Sequence, residues 1–199
     1  GFARVGQTIV NVTDGKIIRL LVDDEPFDLR YGTIISHERT LDLRAGVLRR
    51  EVVWRSPTNR TVKVTSTRLV SFTQRAVLAI DYTVEAVDAP VRIVIQSELV
   101  ANEELPQTSK DPRVAAALHD VLVPACHSSN GARSVLMHAT RTSGLRMAVA
   151  CDHVLHGEAS LHMYAEPDWS RTTIGTSLAP GQRLGVTKFV AYGWSSRRS

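Results

Sequence analysis

Cysteine is nearly absent: Cys126 and Cys151 are the two in 199 residues. That is too few for a disulfide framework, and neither lies at a zinc-finger spacing, so two reduced thiols are expected. Aromatic residues make up 6%, which removes the stacking platforms that nucleic-acid-binding surfaces use. A strong charge of one sign is also missing, because 24 basic residues against 20 acidic ones leave +4. Twenty of the basic residues are Arg, yet they do not cluster into the stripe that nucleic-acid binding calls for, so no nucleic-acid partner is expected. No apolar run approaches the roughly 18–20 residues of a membrane-spanning helix. The opening GFARVGQTIVNV lacks the basic segment, apolar core and small-residue cleavage site of a secretory signal. These absences point to a cytoplasmic protein without a membrane partner, or to a segment of a longer chain. Nucleophile elbow, phosphate-binding glycine loop and paired-histidine helix motif are all missing, and nothing repeats at a fixed period.

What the chain does have is alternation at the two-residue period of a strand. It is clearest in residues 41–72, LDLRAGVLRREVVWRSPTNRTVKVTSTRLVSF. Leu48, Val52 and Trp54 alternate there with Arg49, Glu51 and Arg55. Ser56-Pro57-Thr58-Asn59-Arg60 supplies a turn, and alternation resumes from Thr61, which makes the stretch one long hairpin. Residues 7–12 and 17–22 are expected to form a hairpin across Asp14-Gly15. Residues 76–87 alternate again, and Val91, Ile93, Ile95 and Leu99 open the next strand, so four strands from 47 to 100 are expected as one antiparallel meander. Prolines 106, 112 and 124 punctuate residues 101–134, read as a long excursion over the sheet, in which Asp111 and Pro112 could start a short helix over 113–118. Hairpins follow at Ser143-Gly144 and between residues 158–166 and 169–178, and a last strand runs over 182–193. About ten to twelve regularly spaced strands indicate a single all-β domain over residues 1–199, a large antiparallel two-layer β-sandwich with at most one or two short helices.

Candidates for chemistry are few. Asp23-Asp24-Glu25 is read as a solvated turn, since consecutive residues of an extended chain point to opposite sides and do not converge on one ion. His37-Glu38 is read as an exposed polar pair for the same reason. Asp152, His153, His156 and His162 are the densest set of potential ligands, but two histidines three apart in a strand face opposite ways, so no metal site is assigned. Asn11-Val12-Thr13 and Asn59-Arg60-Thr61 match the glycosylation triplet without a secretory context. One feature stands out. Pairing Trp54 with Val62 across the turn sets residue 52 against 64, 50 against 66 and 48 against 68, which places Arg50 and Arg68 on the apolar face. An arginine there needs an acid such as Glu98, or else a covering domain, because an unpaired buried charge is costly.

The runs VNVTDGKIIRLLVDDEPFDLRYG, SHERTLDLRAGVLRREVVWRSP, TSTRLVSFTQRAVLAIDYTVEAVDAPVRIVIQSELVANE, DPRVAAAL and LGVTKFVAYGWSSRRS resemble the amino-terminal domain of family 65 glycoside hydrolases, which include maltose, trehalose and kojibiose phosphorylases. The resemblance runs from about Gly6 to Ser199 and is weakest over residues 153–168. It implies a galactose mutarotase-like supersandwich, in keeping with the strand count. It also implies that the general acid and the phosphate-binding residues lie in a following (α/α)6 barrel, so no catalytic residue and no cofactor is assigned to this chain. Inorganic phosphate would be a co-substrate of the parent enzyme. The implied partners are that barrel, a glucose disaccharide and a second copy in a homodimer, with Arg50, Arg68 and Trp194 as the candidate inter-domain interface. The alternatives are an autonomous aldose-epimerase-like domain using a His and a Glu, and a carbohydrate-binding module stacking sugars on Trp54, Trp169 or Trp194.

Overall fold

A computed structural model describes residues 10–103 and 121–195. The described residues form strands and turns only, in two antiparallel sheets. The larger sheet has the order β3 (Thr33–Asp42), β4 (Val47–Arg55), β5 (Thr61–Val70), β6 (Val77–Ala86), β13 (Arg183–Ser195), β10 (Arg146–His156), β9 (Arg133–Thr140) and β8 (Leu122–Asn130). The smaller has the order β11 (Ser160–Glu166), β12 (Trp169–Leu178), β7 (Val91–Val100), β1 (Ile18–Val22) and β2 (Glu25–Pro26). The sandwich expected from alternation is therefore present, and the expected helix over 113–118 lies outside the described residues.

The β4–β5 hairpin has the expected register, with Trp54 opposite Val62, Val52 opposite Val64, Arg50 opposite Ser66 and Leu48 opposite Arg68. A one-residue slip would turn every apolar side chain outward, which is why alternation specifies the pairing so strictly. Trp54 is fully buried. Its indole N–H donates to Tyr31 O at 2.7 Å, and Phe27 meets it edge-on at 5.3 Å between ring centroids. Burying an indole requires such a partner for its one polar atom.

Three connections differ from expectation. β7 does not continue the meander beside β6; it crosses to the other sheet and pairs with β1 and β12, while β13 takes the edge of β6. Alternation sets which face of a strand is apolar but not which neighbour it takes, and the 87–90 connection lets the chain change layers. No hairpin closes across Asp14-Gly15: residues 10–12 carry no strand, and residues 7–9 lie outside the described residues. Asp14 instead exchanges backbone hydrogen bonds with Val100, and a Cβ on Gly15 would come within 2.8 Å of Val190 Cγ1. Finally, residues 122–130 are not loop but the edge strand β8, which is compatible with Pro124 because an edge strand has unpaired N–H positions.

The core between the sheets falls into two clusters. One is centred on Trp54, Val84, Ile93, Ile95, Ile174 and Val186. The other gathers Leu99, Leu136, Val149, Cys151 and Val190. The smaller sheet does not cover the whole of the larger one. All ten residues of β3 are exposed, so the inner face of the sandwich opens at that edge.

Candidate functional site

Where cover ends, the register aligns polar side chains on the inner face. Arg39 stands opposite Arg50, Arg50 opposite Ser66, and Ser66 opposite Tyr82. The next row runs Leu48, Arg68, Ile80 and Lys188. A cleft of ≈ 430 Å³ opens between the sheets at this point, lined by Arg50, Ser66, Arg68 and Tyr82 on one side and by Arg19, Phe27, Asp28 and Leu29 on the other. The sequence alternation brings Arg50 and Arg68 together, both half-buried. Among the described residues neither has a hydrogen-bonded or ion-paired partner, and Arg50 Nε is buried without one. Burial pushes the Tyr82 phenol up from its ordinary range, and the positive charges of Arg50 and Arg68 oppose that shift.

Glu98 is not the acid that pairs with them. It is buried at 2% exposure on the outer face of the smaller sheet, where Arg171 Nη2 reaches it at 2.6 Å and Arg19 Nε at 3.1 Å. Neighbouring residues of β7 alternate faces, so Ser97 points inward while Glu98 points away. The partners on β1 and β12 are decided by sheet order, which strand periodicity does not reveal.

Behind the cleft lies a buried polar group of a different kind. Lys188 is fully buried, its Nζ donating to Glu98 O at 2.8 Å and Ile17 O at 3.3 Å. Burial lowers its pKa from 10.5 to about 8. His153 sits between Ala132 O and Ser97 Oγ, both at 2.8 Å. A carbonyl can only accept, so Nδ1 carries the proton and Nε2 accepts from the Ser97 hydroxyl. Burial holds the His153 pKa below its ordinary value. The Ser97–His153 pair has the distance of a nucleophile and base, but both residues are buried and neither lines the cleft, which makes it a structural bond.

The other sequence candidates disperse. Asp23 and Asp24 form the β1–β2 turn with positive φ and bind arginines, Asp23 to Arg60 and Asp24 to Arg92. His156 meets Thr187 outside the sheet, and His162 belongs to the other sheet. Among the described residues no three His, Cys, Asp or Glu side chains gather as a metal site would require. Trp169 packs on Arg171 and Tyr164, and Trp54 is interior. Trp194 is 77% exposed. It lies six residues along β13 from Lys188, about 20 Å at strand rise, so it does not share the arginine cleft. It stands instead at the sheet end bearing the β3–β4 and β5–β6 turns, where Leu43 and Phe72 are also exposed. Trp194 is a sequence candidate for an interface, whereas Leu43 and Phe72 are not, because turn residues escape the alternation that marks strands.

The fold is a sandwich of two antiparallel sheets with a cleft at one margin, and similarity to known proteins is specific about the family. The model for the glycosyl hydrolase family 65 N-terminal domain matches residues 1–199. The chain belongs to this family, as its N-terminal domain. It is 54% identical, over its whole length, to an uncharacterized glycosyl hydrolase of Mycobacterium tuberculosis, of which it covers 26%. It is 33% identical over 96% of its length to an α,α-trehalose phosphorylase of Thermoanaerobacter brockii, of which it covers 25%. A solved structure described as a putative kojibiose phosphorylase from human microbiome has the same fold, with a TM-score of 0.79 at 17% identity over 94% of this chain and 23% of that one. The chain thus spans about a quarter of the length of the curated relatives it matches. Among the described residues, no helix is long and apolar enough to cross a membrane.

Proposed function

We propose that this chain is the non-catalytic amino-terminal domain of a cytoplasmic inverting α-glucoside phosphorylase or hydrolase acting on a glucose disaccharide of the maltose, trehalose or kojibiose type. The single observation that carries this reading is one of extent: the N-terminal family model accounts for all 199 residues, while trehalose phosphorylase and its relatives are about four times longer. The geometry supports a supporting role. The described histidines that are buried are engaged in structural bonds, His153 with Ser97 and Ala132 and His138 with Asp168.

In this reading the catalytic barrel docks on the end of the larger sheet. Leu43 is 82% exposed there, Phe72 81% and Trp194 77%, more large apolar surface at one end than a free sheet end normally leaves in water. Arg50 and Arg68 lie inward along the margin of that face, and a homodimer would draw on the same domain.

The test is to incubate the full-length enzyme that carries this chain with maltose, trehalose and kojibiose, with and without inorganic phosphate, beside the 199-residue chain alone. Inversion of configuration by the full enzyme and silence of the isolated chain are expected. Phosphate-dependent release of β-glucose 1-phosphate identifies a phosphorylase, and release of β-glucose a hydrolase. Turnover by the isolated chain, or a retained anomer, overturns the reading.

A further inference from the structure

We propose that the cleft between the two sheets at Arg50 and Arg68 is a binding site for a phosphate-class oxyanion, either inorganic phosphate or the phosphate monoester of a hexose. The site depends on groups within this chain and not on how the rest of the enzyme docks.

The first argument is the chemistry of the lining. Arg50 and Arg68 supply guanidinium donors, and the Ser66 and Tyr82 hydroxyls, in the same row as Arg50, have no protein partner among the described residues. Guanidinium groups donate only. The one carboxylate in the lining, Asp28, is already engaged by Arg30, whose Nε and Nη2 both reach its Oδ2. A neutral sugar presents as many donors as acceptors and would find few acceptors here. A tetrahedral oxyanion presents acceptors in every direction, and forked guanidinium donors match it bidentately.

The second argument is cost. Register places Arg39 directly opposite Arg50, with Arg68 one row away on the next strand. Like charges directly opposite on neighbouring strands destabilise a sheet. An arginine nitrogen buried without a partner, as Arg50 Nε is, adds a desolvation cost. Among the described residues other half-buried or buried charges do find ionic partners: Glu98 takes two arginines, and Asp23 takes Arg60. The unmatched set coincides with an open cleft of ≈ 430 Å³, large enough for a hexose phosphate.

The experiment is calorimetric titration of the 199-residue chain with inorganic phosphate, glucose 1-phosphate and, at matched ionic strength, acetate. One saturable phosphate site is expected, with acetate at least about tenfold weaker. Arg50→Gln and Arg68→Gln are each expected to weaken phosphate about tenfold or more, while Arg146→Gln, an exposed arginine outside the cleft, leaves it unchanged. If the arginine variants fail to fold, Tyr82→Phe and Ser66→Ala each remove one donor and are expected to weaken binding about threefold or more. Tighter binding of glucose 1-phosphate than of phosphate assigns the sugar ester, and equal binding assigns the free ion. No saturable binding up to about 20 mM overturns the proposal. So does phosphate binding that every cleft variant leaves untouched. Acetate binding as tightly as phosphate also overturns it and points to a carboxylate side chain from a neighbouring domain.

Discussion

Lys188 Nζ donates to the main-chain carbonyl of Glu98 at 2.8 Å, while the carboxylate of the same glutamate leaves by the opposite face of β7 to meet Arg19 and Arg171. The lysine thus ties the two sheets together through a backbone oxygen, and its charge is left without a carboxylate in contact. A buried ammonium satisfied only by carbonyls is costly to keep charged, which is the cause of its lowered pKa.

This arrangement makes stability rise with pH in a defined window. Lys188 has its folded pKa lowered from 10.5 to about 8, so between these values the unfolded chain binds the extra proton. Unfolding free energy measured in urea is expected to increase from about pH 8 to pH 10, by at most about 3 kcal/mol. Above pH 10 the raised pKa of Tyr82 acts in the opposite sense, because the unfolded phenol ionises first. Lys188→Met is expected to flatten the rise. A rise of the same size in that variant would show that another group causes it.

His153 works at the acid side. Its pKa is held below 6.5 by burial, so the unfolded chain takes up a proton first as pH falls below 6.5, and stability falls with it. Ser97→Ala removes the hydroxyl donated to Nε2 and is expected to cost about 1–2 kcal/mol at neutral pH by urea denaturation.

Breaking the Glu98 cluster tests the outer face. Glu98→Gln keeps the shape but removes the charge shared by two arginines, and a loss of about 2–3 kcal/mol is expected, short of a fully buried pair because Arg19 is 61% exposed. A change below about 0.5 kcal/mol would place the cluster with ordinary surface pairs.

Two tryptophans should separate folding from docking. Trp54→Ala leaves a cavity in the centre of the first core cluster and is expected to cost about 3–5 kcal/mol. Trp194→Ala is expected to change the stability of the isolated chain by less than about 0.5 kcal/mol. In the full-length enzyme the same change should lower the melting temperature if this end carries the barrel.

The sequence by itself determined the fold class, the β4–β5 register and the placement of Arg50 beside Arg68. These follow from side-chain alternation and one turn, which are local and leave a two-residue signature that survives any sheet order. The family followed from longer runs such as LDLRAGVLRREVVWRSP. Tertiary structure alone decided that β7 abandons the meander, that residues 122–130 form an edge strand, and that Glu98 serves Arg19 and Arg171 while Arg50 and Arg68 go without an acid. Strand partners, layer changes and the place where one sheet stops covering the other depend on contacts between residues far apart in the chain. A periodicity of two cannot carry that information, and the cleft exists only because of it.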